Sequence, residues 1–222
     1  MTRKSRTADI PAYARARKGQ RAAYDRETIA PILAAGLFGH FGFVVDGRPM
    51  VIPMAYAFDG ERIYLHGATK TRAMKSTPGT AACFTVTLLD GIVCARSGFN
   101  HSVNYRSVVA HGTAREVTDP AEFDRALHLI TEHILPGRNA EIRAGTKKEW
   151  KATTVRALDI EAASAKVRSG PPADEPEDLS LGLWAGVLPV MTALGRGVAD
   201  AHTPAGTAEP PSLAAARMKF AR

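Results

Sequence analysis

The sequence predicts a mainly β fold: an antiparallel β-barrel with flanking helices. Three observations lead there. About seven strand-length runs rich in apolar, β-branched and aromatic residues recur before residue 165. Asp-Gly pairs at 46–47, 59–60 and 90–91 separate several of them, and glycine takes the positive φ of such turns without steric cost. One long amphipathic helix with its own start signal stands among them, which suits a barrel with helices beside it.

Taken in order, residues 1–20 hold Thr, Ser, Arg, Lys and Ala with few large apolar groups. They read as a basic flexible arm, disordered or laid over the domain. A short helix is expected between Asp25 and Gly36. Pro31 lacks an N–H and clashes with a preceding turn, so Thr28 as N-cap, which puts Pro31 in the first turn, is the expected start. Gly36 is the expected C-cap. Residues 38–45 and 48–58 read as strands. In the next strand Arg62 and Tyr64 share one face, Ile63 and Leu65 the other. A short helix near 71–75 is broken by Pro78-Gly79. Residues 81–89 and 92–96 read as two strands joined by a turn at Asp90-Gly91. Residues 105–117 form another strand, with Gly112 as a bulge or close-packing point.

The clearest local signal follows. Asp119 caps, Pro120 fits the first helical position, and Glu122 completes a capping-box-like start. Phe123, Ala126, Leu127, Ile130 and Ile134 then recur at helical spacing until Pro136-Gly137. A further short helix is expected within 141–151, and residues 153–161 return to the sheet. Residues 170–180 are a Pro- and acid-rich surface segment, and 181–190 hold Trp184 and a last apolar piece. Beyond about residue 195 the Ala, Pro, Thr and Gly content predicts a flexible tail, apart from a helix over 212–221. The chain thus divides into an arm (1–20), one barrel domain (21–194) and a tail (195–222).

Charge placement argues against nucleic acid. Of a formal +7, residues 1–26 contribute +6 and residues 195–222 contribute +2, which leaves −1 for residues 27–194. A nucleic-acid-binding domain carries its basic excess on the fold. Cys83 and Cys94 lie in strand-like runs. They are expected as reduced, buried thiols, with a disulfide open only if their strands pair. No Cys/His metal spacing, Walker A, GxGxxG or nucleophile elbow appears. No apolar run spans a membrane and no hydrophobic region follows the basic N-terminus, so a cytoplasmic protein is expected.

The stretch with the most chemistry is 48–75. After its hairpin comes Gly67-Ala68-Thr69-Lys70-Thr71-Arg72, with a flexible backbone, two hydroxyls and two cations at a helix entry. Backbone N–H groups and the helix dipole attract an anion, and Lys70 and Arg72 neutralise it. A solvated basic turn has the same composition. Pro53 removes a ladder donor, which fits a sheet edge or the flank of a ligand.

These residues resemble the pyridoxamine 5′-phosphate oxidase-like split-barrel flavoproteins, in the flavin-nucleotide-binding and nitroimidazole-resistance branch. Further matching blocks are Leu88-Leu89-Asp90-Gly91, the run from Phe99 through Asn104-Tyr105-Arg106-Ser107, Ser164-Ala165-Lys166-Val167-Arg168, and Trp184-Ala185-Gly186. The resemblance covers about residues 20–190 and implies a split antiparallel β-barrel of the FMN-binding type. It implies FMN as cofactor, with deazaflavin and haem as alternatives, and a homodimer with the flavin at the interface. Lys70, Thr71 and Arg72 are then the phosphate group, and the backbone of Val51, Ile52, Pro53 and Met54 lines the ring. Asn104, Tyr105, Arg106 and Ser107 reach the flavin. Trp184 either walls the ring or plugs the core. His66 ends a strand just before the phosphate turn and is the candidate proton donor to a reduced substrate; the other reading is a strand-end histidine bound to a backbone carbonyl. His101 is a second candidate.

The implied function is an FMN-dependent oxidoreductase passing electrons or a hydride from a reductant to a small oxidised or nitro compound. Pyridoxamine phosphate is not the expected substrate. The alternative is a non-enzymatic carrier, store or sensor of a flavin, haem or other planar ligand, with His66, His101, His111 and the cysteines as candidate axial ligands.

Overall fold

The computed structural model describes residues 10–17 and 19–222. Strand β1 (Ala22–Ala23) and helix α1 (Arg26–Ala35) lead into the hairpin of β2 (Gly39–Val45) and β3 (Arg48–Met54). Then come β4 (Tyr56–Phe58), β5 (Arg62–Ala68) and the short helix α2 (Arg72–Ser76). The long strands β6 (Thr80–Cys94) and β7 (Ser102–Glu116) precede α3 (Pro120–Ile134) and α4 (Lys147–Ala152). β8 (Thr153–Arg168), β9 (Gly186–Pro189) and α5 (Pro211–Phe220) follow. The sheet runs β3-β2-β6-β7-β8-β5-β4, with β1 on β8 and β9 on β6. Every pairing is antiparallel. The expected mainly β barrel is present.

Both faces of the 62–65 alternation are buried. Ile63 and Leu65 join Phe41, Phe84, Val86, Leu88 and Val108 in the main core, where α1 adds Ile29, Ile32 and Leu33. Tyr64 belongs instead to a second core with Val155, Ala157 and, from α3, Ala126 and Ile130. No helix among the described residues is long and apolar enough to cross a membrane.

Several local expectations are corrected. Residues 80–94 form one strand, because Asp90-Gly91 is a bulge where the register against β7 shifts, not a hairpin turn. Arg106 clamps Asp90 there through Nε at 2.9 Å and Nη2 at 2.7 Å. Cys83 and Cys94 therefore share a strand, and both are free, half-buried thiols. Helix α1 starts earlier than expected: Asp25 caps it, accepting from the Thr28 N–H at 2.8 Å and the Thr28 hydroxyl at 2.7 Å. Asp25 is the stronger acceptor, so Pro31 lies inside the helix. The 48–58 run is split into β3 and β4. Gly112 is at a bulge, as expected: the register against β8 shifts after His111, and a Cβ would meet the Asp159 carbonyl at 1.9 Å.

Asp119 caps α3, accepting from the Glu122 N–H at 2.8 Å. The Glu122 carboxylate does not close a capping box. It accepts from Arg115 at 2.6 and 3.0 Å and from the Tyr64 hydroxyl at 2.9 Å. Arg115 also donates to Asp159 at 2.9 Å, and Arg125 donates to Tyr64 at 2.7 Å. This network ties α3 to β5, β7 and β8. Burial, then the Glu122 bond, pushes the Tyr64 phenol up to about 12.

The chain ends are packed on the barrel to different degrees. In the arm, residues 1–9 and Lys18 lie outside the described residues. Ala14 is buried, and the Tyr13 ring meets His111 edge-on at 5.1 Å. The expected tail carries α5, with Ser212, Ala216 and Phe220 buried, so its end is docked rather than separate from the barrel. Phe220 packs on His133 at 6.2 Å between ring centroids, and Lys219 donates to the His133 carbonyl.

Arg156 is 2% exposed; Nη1 donates to Glu116 at 2.6 Å and Nη2 to the Met74 carbonyl inside α2. It tethers α2 to the sheet. Arg156→Leu is expected to cost about 2–4 kcal/mol in urea unfolding, from lost charge-assisted bonds and an unpaired Glu116. His133 donates from Nε2 to the Gly36 carbonyl at 2.7 Å and stacks near Tyr56 at 4.6 Å. Burial, against the pull of the Gly36 bond and with help from Lys219, pushes its pKa from 6.5 down to about 4. Above pH 6.5 the ring is neutral in both states. Between there and about pH 4 the unfolded chain takes up a proton that the folded chain does not, so stability falls with pH and then levels off. The loss is expected to be roughly 1–3 kcal/mol, after discounting for partial exposure. His133→Gln should flatten this segment of the stability–pH curve.

Candidate functional site

The cationic turn approaches strand β3 through Arg72. β3 pairs only with β2, so its other edge is open among the described residues. Val51 is 64% exposed on it, and Pro53 is exposed beside it. Pro53 is thus an edge-strand proline, where its missing N–H breaks no ladder. Ile52 and Met54 alternate with these residues and pack on the core. Arg72 reaches β3: its Nη1 lies 3.9 Å from the Met50 sulfur.

The turn itself is held open. Thr69 donates its N–H to the Ala152 carbonyl at 3.1 Å, and its hydroxyl meets that of Thr154 at 3.2 Å. Thr71 occupies the N-cap of α2, but its hydroxyl donates to the Ala68 carbonyl at 2.9 Å and caps no amide. Lys70, Thr71 and Arg72 are all exposed. The result is a solvent-facing pair of cations beside an apolar sheet edge and an uncapped first turn, which suits a phosphate attached to an apolar ring. His66 leads into this turn from β5, paired with Val155 of β8. Its ring is open to solvent on one side, yet the protein around it pushes its pKa below the ordinary value. A neutral imidazole therefore sits next to the cationic turn near neutral pH.

The second group of expected ligands lies elsewhere. Asn104, Tyr105, Arg106 and Ser107 open β7 and face Gly91, Leu89, Leu88 and Thr87 of β6. Glu116, at the other end of β7, pairs with Arg156, next to Val155 and hence His66. Nine residue steps of strand separate Ser107 from Glu116, roughly 30 Å along β7. One protomer therefore does not bring the 104–107 segment to the cationic turn.

Most of that segment is also occupied. Asn104 is 8% exposed; it donates to the Gly170 carbonyl at 3.1 Å and accepts from Arg168. Arg106 forms the fork on Asp90, and Ser107 donates weakly to the Lys166 carbonyl at 3.4 Å. Lys166 lies over the Tyr105 ring at 5.8 Å. Trp184 is 72% exposed beside β9, so it is no core plug. At the same end Ile92, Phe99, Val103 and Leu188 are also exposed. His101 is exposed, its Nδ1 2.7 Å from the Ser97 carbonyl.

Sequence reading missed a largely apolar groove of about 600 Å³ beside β2, β3 and β6, lined by Tyr13, Val44, Pro49 and Val51 with Cys83 and His111. Burial pushes the His111 pKa down, which favours the neutral imidazole. Its legible signal was the alternation of Gly42 and Val44 with core residues on β2.

A family model described as pyridoxamine 5′-phosphate oxidase matches residues 25–167. The structure of the flavocytochrome Anf3 from Azotobacter vinelandii is similar, with 35% identity and TM-score 0.84 over 90% of this chain and 94% of that one. The FAD and heme binding protein from Mycobacterium smegmatis gives 35% identity and TM-score 0.84, over 89% of this chain and 97% of that one. A putative 5-nitroimidazole antibiotic resistance protein from Bacteroides thetaiotaomicron shares the fold at 18% identity and TM-score 0.55, over 66% of this chain and 87% of that one. No curated protein sequence matches. With the family model spanning well over half of the chain and the barrel in place, the protein belongs to the pyridoxamine 5′-phosphate oxidase-like split-barrel family.

Proposed function

We propose that this protein is a flavin-dependent redox protein that also holds haem. The observation that carries this is 35% identity, over about nine-tenths of the chain, to two proteins whose names pair a flavin with haem. The family supports a flavin; FAD joins FMN as the candidate. The exposed turn of Lys70, Thr71 and Arg72 accommodates the phosphate of either. Bound flavin would supply two-electron and one-electron chemistry, taking electrons or a hydride from a reductant for delivery to a small oxidised or nitro compound. The protein's part is to hold the phosphate, line the ring with the β3 edge, and offer the neutral His66 imidazole for proton transfer.

A homodimer completes this reading. The separation of the 104–107 segment from the cationic turn is more than a flavin mononucleotide bridges within one protomer. The exposed apolar set of Ile92, Phe99, Val103, Trp184 and Leu188 is the kind of surface a second copy covers. That copy's 104–107 segment would then meet the first copy's turn.

The groove beside His111 is the better place for haem. It combines apolar walls with a neutral imidazole, the donor type haem iron takes. The purified protein is expected to show flavin and Soret absorption, with heat-released flavin identified by mass. A protein that stays colourless after adding FMN, FAD and haem would sink the reading. Lys70→Ala with Arg72→Ala is expected to weaken flavin binding by about 3–6 kcal/mol, for two charge-assisted contacts, while leaving the Soret band. His111→Ala should remove or shift the Soret band and spare the flavin; loss on His66→Ala instead would move the haem to β5. Bound cofactor without turnover, across reduced nicotinamide and a panel of acceptors, would mark a carrier rather than an enzyme.

A further inference from the structure

A second cavity, of about 530 Å³, opens at the end of β5 away from the cationic turn. Arg62 begins β5 and Ala68 ends it, roughly 20 Å along the strand. The apolar side of the cavity is made by Ile29 from α1, Phe58 from β4, and Ile160 and Ala163 from β8. Ile29 belongs to the main core and the other three pack against it, so the core holds this surface in place. The volume lies within the range of small-molecule sites, about 300–1,000 Å³. The cavity shares no lining residue with the groove beside His111.

The polar side holds arginines in different states of use. Asp159 is fully engaged: Oδ1 accepts from Arg62 Nε at 2.7 Å and Oδ2 from Arg115 Nε at 2.9 Å. Arg115 turns Nη1 and Nη2 to Glu122, at 3.0 and 2.6 Å. Arg62 keeps donors to spare. Its Nη1 lies 3.7 Å from Glu61 and 3.9 Å from Asp59, beyond hydrogen-bond reach. Asp59 is taken elsewhere, by the Glu61 and Arg62 N–H groups and by Arg125.

Arg26 is not used at all. It is exposed, it lines the cavity, and it has no ion pair or hydrogen bond among the described residues. Its Nη2 lies over the Gly60 backbone, where a Cβ would meet it at 2.4 Å. Gly60, at φ +106°, lacks that Cβ and so leaves the guanidinium its place at the rim. Arg26 is also the first residue of α1, where the helix dipole disfavours a cation. Its position thus lowers stability, and no contact among the described residues offsets the cost.

We propose that this cavity binds a small amphipathic anion, a single carboxylate on a hydrocarbon body. The body lies on Ile29, Phe58, Ile160 and Ala163. The carboxylate takes the fork of Arg26, with Arg62 Nη1 as a further donor. Asp159 and Glu61 also line the cavity and repel a second negative charge, which selects a monoanion. The proposal rests on no cofactor assignment.

The test is isothermal titration calorimetry of the full chain as purified, with sodium octanoate at constant ionic strength in chloride. Sodium acetate supplies the carboxylate without the body, and 1-octanol the body with a neutral head. Octanoate is expected to bind saturably, and acetate and 1-octanol more weakly by about tenfold or more. Arg26→Gln should weaken octanoate binding by about tenfold or more and leave the melting temperature equal or higher, since a cation leaves the helix N-terminus. Arg26→Ala takes its place should that variant fail to fold. Lys70→Ala with Arg72→Ala, at the other cationic site beside apolar surface, should bind octanoate as the unaltered chain does. Absence of saturable octanoate binding overturns the proposal. So does 1-octanol or acetate binding as tightly as octanoate, undiminished binding in the Arg26 variant, or loss of binding in the Lys70 and Arg72 variant.

Discussion

The fold depends on the pairing of β7 with both β6 and β8 along its length. Each of these ladders runs through a dozen or more residue pairs, broken once by a bulge. Backbone hydrogen bonds of this extent fix the register of everything attached to the three strands. One end of β7 carries the Asp90 clamp and the 104–107 segment. The other leads, through Glu116 and Arg156, to α2 and the cationic turn. A one-residue slip would exchange the Phe84, Val108 and Ala165 face for a polar one. The spacing between the two groups of candidate ligands is therefore set by the core itself.

Much of this architecture was legible in the sequence. Alternation and Asp-Gly pairs located the strands, and Gly112 announced its bulge. The start of α3 was readable because Asp119 and Pro120 act within one turn. What failed were signals whose meaning depends on a partner far along the chain. Asp90-Gly91 has the composition of a turn, but Arg106 and β9 convert it to a bulge. Glu122 has the spacing of a capping box, but Arg115 and Tyr64 claim its carboxylate. Arg156 sits unmarked in an apolar strand, and its role exists only because α2 ends above it.

The candidate site divides the same way. Local chemistry singled out Lys70, Thr71 and Arg72 as candidates, because a cationic turn at a helix entry is contiguous in sequence. It could not show that Asn104 and Arg106 spend their polar atoms inside the chain, on Gly170, Arg168 and Asp90. Nor could it show that the end of α5 returns to the barrel, since that region's composition resembles a linker. Phe220 is the large apolar residue of that region that docking buries fully, with Leu213 half-buried beside it in the same helix.

The open edge of β3 has a consequence for how copies of this protein meet. Pro49 faces Val44, and Pro53 faces His40, four residues apart on the same strand. Both imide nitrogens must point outward, since inward they would interrupt the ladder with β2. Along that rim only Val51 keeps an N–H between two gaps. A passing strand finds no continuous template there, so the sheet resists runaway growth into fibres. Contact at this rim is left to side chains and carbonyls, which favours a ligand or a shaped surface over another strand.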